Sequence, residues 1–149
     1  MFYYDFQVVF QEVPGEISLC FYISGCSLHC EGCHSPFLWK EGNGSILTID
    51  SYKSILNQYK NLATCVLFMG GEWHQNELIS MLQLAKRHHY KTCLYTGEDL
   101  ISEDIKSHLT FLKTGKWQQD KGGLESNITN QLFIKVPTNQ KLNYLFSKN

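Results

Sequence analysis

The sequence predicts an α/β fold, either an open, mostly parallel sheet or a partial barrel of β–α units. Three observations predict it. Short apolar runs rich in β-branched and aromatic residues recur along the chain. Amphipathic helical patterns lie between several of them. The length, 149 residues, fits one domain over residues 1–149. It falls short of the ~250 residues that a closed eight-unit barrel takes.

Residues 6–10 form the first run, an edge strand turned by Val13-Pro14-Gly15. Residues 17–23 form the second. Asp50 then offers an N-cap to a helix with Tyr52, Ile55, Leu56 and Tyr59 on one face. A strand follows over 65–69. Leu78, Ile79, Leu82 and Ala85 make a second helical stripe that ends near Arg87, His88 and His89, where cationic groups suit the helix dipole. Residues 92–96 read as a strand, and Ser102 as the cap of a short helix carrying Ile105 and Leu109. Strands over 109–113 and 132–136 complete the order.

Composition excludes several function classes. Hydrophobic residues are 43% and aromatic residues 13%, too many for a largely disordered chain. Thirteen basic residues face 14 acidic ones, for a net charge of -1. Arg87 is the one arginine. This balance argues against a nucleic-acid groove or an anionic membrane as the partner. No run approaches the roughly 18 apolar residues of a membrane span. The first residues lack a basic segment followed by an apolar core, so the expected location is cytoplasmic, with reduced cysteines.

In parallel α/β folds ligands sit beyond the carboxyl ends of the strands. The segments there are unusual. Ser24 to His34 follows the second run, Gly70-Gly71-Glu72 follows residues 65–69, and Gly97 and Thr114-Gly115 follow the next two. Their shared edge predicts one shared site. Cys26, Cys30 and Cys33 lie within eight residues, separated by three and then two. Thiolates favour soft or borderline metals, and iron–sulfur clusters are held mainly by cysteine. Three thiolates on a four-iron cubane leave one iron open to an exogenous ligand. A zinc site completed by His29 or His34 is the alternative, although structural zinc sites more often join two separated ligand pairs. Cys20, Cys65 and Cys93 fall inside predicted strands and read as buried apolar residues.

The run Cys26-x3-Cys30-x2-Cys33 resembles the cluster loop of the radical S-adenosylmethionine (SAM) superfamily. More closely, Gly25-Cys26 through Gly32-Cys33-His34-Ser35-Pro36, with Trp39 following, resembles the activating proteins of anaerobic ribonucleoside-triphosphate reductases. The likeness continues in Leu67 to Glu72, Leu94 to Gly97, Phe111 to Gly115 and Thr129-Asn130-Gln131. It covers nearly the whole chain. The resemblance implies a shortened radical SAM core binding one 4Fe-4S cluster through Cys26, Cys30 and Cys33. It also implies a SAM site drawn from Gly32, Cys33, His34, Gly70, Gly71, Glu72, Thr96, Gly97 and Lys113. In such activases the cluster reductively cleaves SAM, and the resulting 5′-deoxyadenosyl radical generates a glycyl radical on the large subunit of the anaerobic reductase. A flavodoxin-like protein is the implied electron donor.

Trp73 stands where the family usually has proline. The family reading also makes the stretch 115–131 a loop that meets the protein substrate, with Trp39 and Trp117 as exposed anchors; the plain alternative is a mobile connection. Activation of another glycyl-radical enzyme, a non-catalytic zinc-binding module and a small electron carrier remain rival expectations.

Overall fold

The computed structural model describes residues 1–147. Its frame is an eight-stranded open sheet of order β3-β1-β2-β4-β5-β6-β7-β8. The four inner strands, β2 (Ser18–Ile23), β4 (Cys65–Met69), β5 (Lys91–Tyr95) and β6 (Phe111–Thr114), run parallel. Antiparallel strands flank them: β1 (Phe2–Val9) and β3 (Ser45–Ile46) on one side, β7 (Leu132–Lys135) and β8 (Gln140–Lys141) on the other.

Strand β1 begins earlier than residue 6 and is not the outermost strand, because Phe2 and Tyr3 pair with the two-residue β3. The turn after it is as expected. Glu16 N donates to Val13 O at 3.0 Å, and Gly15 takes φ +81°, which glycine adopts without strain.

Side-chain alternation splits the sheet into two apolar faces. Leu19, Phe21, Ile23, Val66, Phe68, Leu94 and Leu112 face the helices. Cys20, Cys65, Leu67, Cys93, Phe111 and Phe133 face the other way. Burial on both sides explains why the central strands read as continuous apolar runs.

The helices cover the first face. Helix α1 (Ile49–Gln58) buries Tyr52 and Leu56, and α2 (Gln75–Arg87) buries Leu78, Met81, Leu82, Leu84 and Ala85. The short α3 (Glu103–Lys106) adds Ile105 and is capped by Ser102, as expected. The cap of α1 is Thr48 and not Asp50. Thr48 accepts from Ser51 N and Ser51 answers Thr48 N, a reciprocal box that Asp50, already inside the first turn, cannot make. Buried tyrosine hydroxyls join the layer, with Tyr52 Oη donating to Met81 O at 2.8 Å and Tyr90 Oη to Leu56 O at 2.7 Å.

Among the described residues no α-helix covers the second face. Val13, Leu124 and Leu142 pack on it, joined by the partly buried Phe146. Phe146 meets Phe133 edge-on at 5.1 Å.

Candidate functional site

The carboxyl ends of β2, β4, β5 and β6 open onto a cleft of about 240 Å³. Tyr22, Met69, Tyr95 and Lys113 form its floor. Each sits at or one residue from the end of its parallel strand. Alternation turns all four toward the helix-free face. Cys26, Ser35 and Leu38 come from the loop after β2; Gly70, Glu72 and Trp73 from the loop after β4; Thr96 and Gly97 from the loop after β5. The loops after the parallel strands therefore meet at the expected edge.

Glu72 carries the main polar feature. Its Oε1 accepts from Thr96 Oγ1 at 2.6 Å, while its Oε2 is buried with no partner. Burial pushes the carboxyl above its ordinary range, and the Thr96 bond draws it partway back. Thr96 Oγ1 also accepts from Glu98 N at 3.0 Å, so its proton is committed to Glu72 and its orientation is fixed from both sides. Lys113 is buried beneath, with Nζ donating to Gly115 O at 2.7 Å and Thr96 O at 3.4 Å. Burial lowers its ammonium to about 8, opposed by Cys30 and Glu72. A buried acceptor without a partner, close to a buried cation held by carbonyls, suits a ligand that brings its own charges.

Gly70 and Gly71 have φ of +84° and +111°. Gly70 lies against the indole of Trp73, whose Cη2 is 2.6 Å from where a Cβ would stand. Gly71 does not line the cleft: its α-carbon faces Ile23 and Met1, and its carbonyl accepts from His74 N at 2.9 Å. Gly97 is covered by the side chain of Leu28 from the cysteine loop.

The cysteine loop is anchored by Gly25 N and Cys26 N, which donate to Leu38 O at 2.7 and 3.0 Å. Cys26, Cys30 and Cys33 are free and half-buried, whereas Cys20, Cys65 and Cys93 are free and fully buried, as expected. Burial raises the Cys26 thiol, with Glu72, Cys30 and Cys33 adding to the shift. A bound cation at the sulfur would reverse that logic. Cys33 Sγ accepts from Ser35 N at 3.3 Å.

Among the described residues, no three His, Cys, Asp or Glu side chains converge on a point that could hold a single metal ion. In a cubane cluster each cysteine binds a different iron, so its ligands stand apart. The loop fits that group by its donors: three half-buried thiols, a backbone N–H already directed at one sulfur, and a glycine immediately before each of the first and last cysteines. Cys30 borders an adjoining groove with His29, Trp117 and Gln119. Gly32 and His34 also lie outside the main cleft. Gly32 is exposed, with Trp117 and Gln119 beside it, and His34 is exposed with its ring 5.0 Å from that of Trp117.

Two expectations need correction. Trp39 and Trp117 are not exposed anchors. Both are half-buried with shielded indole nitrogens, Trp39 stacking on His29 at 4.4 Å. The stretch 115–131 is held in place, by Asn130 Nδ2 donating to Lys116 O at 3.0 Å, Thr129 Oγ1 to Gly122 O at 3.1 Å, and the buried Leu124. The floor residues Tyr22, Met69 and Tyr95 were not singled out in the sequence. Their signal is their place at the ends of consecutive parallel strands.

No helix among the described residues is long and apolar enough to cross a membrane. No curated protein was found to match the chain. The family described as a 4Fe-4S single cluster domain matches residues 13–140, a span that holds the three loop cysteines and every residue of the cleft. With most of its length so matched, the chain belongs to the 4Fe-4S single cluster domain family.

Proposed function

We propose that this chain is a radical SAM activase that generates the glycyl radical of an anaerobic ribonucleoside-triphosphate reductase. One observation carries the reading: Cys26, Glu72, Thr96, Gly97 and Lys113 border the same cleft, and Glu72 Oε2 is buried there without a partner. The chemistry supplied by a bound cluster is one-electron cleavage of SAM to methionine and a 5′-deoxyadenosyl radical, which takes a hydrogen atom from a glycine of the reductase large subunit.

The chain's own residues bind and orient. Cys26, Cys30 and Cys33 hold the cluster. Glu72 Oε2 accepts from the ammonium of SAM's methionine part, with Thr96 fixing the carboxylate through Oε1. Lys113 supplies positive charge to the methionine carboxylate. Tyr22, Leu38, Met69 and Trp73 give the cleft apolar walls, which exclude water from a reactive species. Gly32, Cys33 and His34 belong to the loop that holds the cluster, outside the main cleft, and Gly70 and Gly71 set the turn that presents Glu72. The protein substrate is the reductase large subunit, and the electron donor is a flavodoxin-like protein.

The test is anaerobic reconstitution with iron and sulfide. The expected result is a brown protein whose cluster signal changes on adding SAM. On reduction it releases 5′-deoxyadenosine and forms a glycyl radical on a purified reductase subunit. A cluster indifferent to SAM would make this chain an electron carrier instead. A colourless protein that binds zinc would make it a binding module. Radical formation on a different glycyl-radical enzyme alone would move the assignment to that partner.

A further inference from the structure

The chain has three tryptophans, and all three lie against the cysteine loop. Trp39 stacks on His29 at 4.4 Å, and Trp117 meets His34 at 5.0 Å. Trp73 reaches the loop from the other side, beyond β4. The indole nitrogen of each is buried with no hydrogen-bond partner among the described residues. An indole N–H can only donate, so each lacks an acceptor. Buried donors without partners are uncommon in folded proteins and call for one.

Two of the three are placed closely. Trp73 Nε1 lies 2.8 Å from where a Cβ on Gly25 would stand, and Trp117 Nε1 lies 3.4 Å from the same point on Gly32. Gly25 precedes Cys26 and Gly32 precedes Cys33. Both glycines have positive φ, +111° and +72°. A side chain at Gly25 would collide with the indole, so the glycine admits the N–H edge beside the first ligand. The loop already shows one donor of this kind, the 3.3 Å bond from Ser35 N to Cys33 Sγ.

We propose that Trp73 and Trp117 donate their indole N–H groups to sulfur atoms of the bound cluster unit and thereby raise its reduction potential. Reduction adds negative charge to the cluster, and a fixed donor stabilises the more negative state more strongly. Gly25, before Cys26, serves this contact as well as the loop's turn. The two tryptophans are positioning residues that act through the cluster, not on a substrate. The inference rests on the family's 4Fe-4S cluster and is independent of SAM chemistry.

Trp73→Phe and Trp117→Phe keep an aromatic ring and delete the donor. Wild type and variants are reconstituted anaerobically without SAM and titrated with dithionite against mediator dyes. The reduced cluster is read by electron paramagnetic resonance. Each variant is expected to lower the ratio of reduced to oxidised cluster at a fixed potential by about fivefold. That is a shift of about 40 mV at 59 mV per tenfold. Potentials equal to wild type in both variants overturn the proposal. Should a variant fail to hold its cluster, wild-type protein with 15N-labelled indole decides. Pulsed measurement of its reduced cluster is expected to show coupling to indole nitrogen, and absence of that coupling overturns the proposal. A chain that assembles no cluster overturns this inference and the cluster reading together. A normal cluster that leaves SAM intact overturns the proposed activity alone.

Discussion

Glu72 and Lys113 bring opposite charges into one cleft, and each is held by a neighbour that the local sequence does not reveal. Thr96 fixes one oxygen of Glu72 and leaves the other bare. Gly115 and Thr96 carbonyls hold Lys113. Glu72→Gln keeps an oxygen for Thr96 and removes the charge. On the proposed reading it weakens SAM binding about tenfold, because a hydrogen bond to a charged group is worth ~1.5–3 kcal/mol. Equilibrium binding to the reconstituted protein checks this, with cluster content unchanged. The cysteines divide in the same residue-level way. Burial raises Cys20 and Cys65 to about 12 and Cys93 well above its usual value. The thiolate is the reactive form. Native cluster-free protein should spare the buried Cys20, Cys65 and Cys93 until unfolded and alkylate at the half-buried loop cysteines, as peptide mass mapping would show. Rapid labelling of Cys93 in the native state would contradict its buried position.

Among the elements, α1 shows how a local rule can be right in kind and misplaced in position. Tyr52, Ile55, Leu56 and Tyr59 carry the helical spacing, and the helix forms. Its start is set two residues before Asp50, by the exchange of bonds between Thr48 and Ser51. Thr48→Ala should cost ~1 kcal/mol, read as a lower urea midpoint with an unchanged slope. Asp50→Asn should change stability far less, because Asp50 contributes only charge in the first turn. The strands were easier to read. Residues 65–69 are bounded on both sides and buried on both faces, so periodicity and length agree. The two-residue strands β3 and β8 left no pattern to read, because they exist only as partners to β1 and β7.

At the scale of the molecule, the core and the candidate centre are built from different parts. The helix-covered face of the sheet contains none of the loop cysteines. The loop sits beyond the strand ends and is tied back chiefly through Leu38 O. On the proposed reading, Cys30→Ala should then abolish cluster-dependent SAM cleavage and leave the cluster-free fold intact. The readouts are 5′-deoxyadenosine yield and a urea midpoint within error of the cluster-free wild type. Collapse of the fold in that variant would mean that the loop supports the core. At the opposite end of the sheet, buried Glu16 pairs with Lys91 and accepts from Thr64 Oγ1 at 3.0 Å. That polar cluster closes the amino ends of the strands, away from the cleft.

The sequence by itself determined the parallel α/β frame, the edge at which the unusual loops gather and the close spacing of Cys26, Cys30 and Cys33, because periodicity and short-range spacing are local properties. Only the tertiary structure decided that the helices keep to one face and that Tyr22, Met69 and Tyr95 floor the cleft on the other. It also placed Trp73 and Trp117 on the glycines beside the cysteines, and left Glu72 one bare oxygen. Those outcomes depend on contacts between distant segments, such as Gly25 with Trp73, 48 positions apart, and Gly32 with Trp117, 85 apart. Burial and hydrogen-bond pairing, which no single stretch of chain contains, settle them.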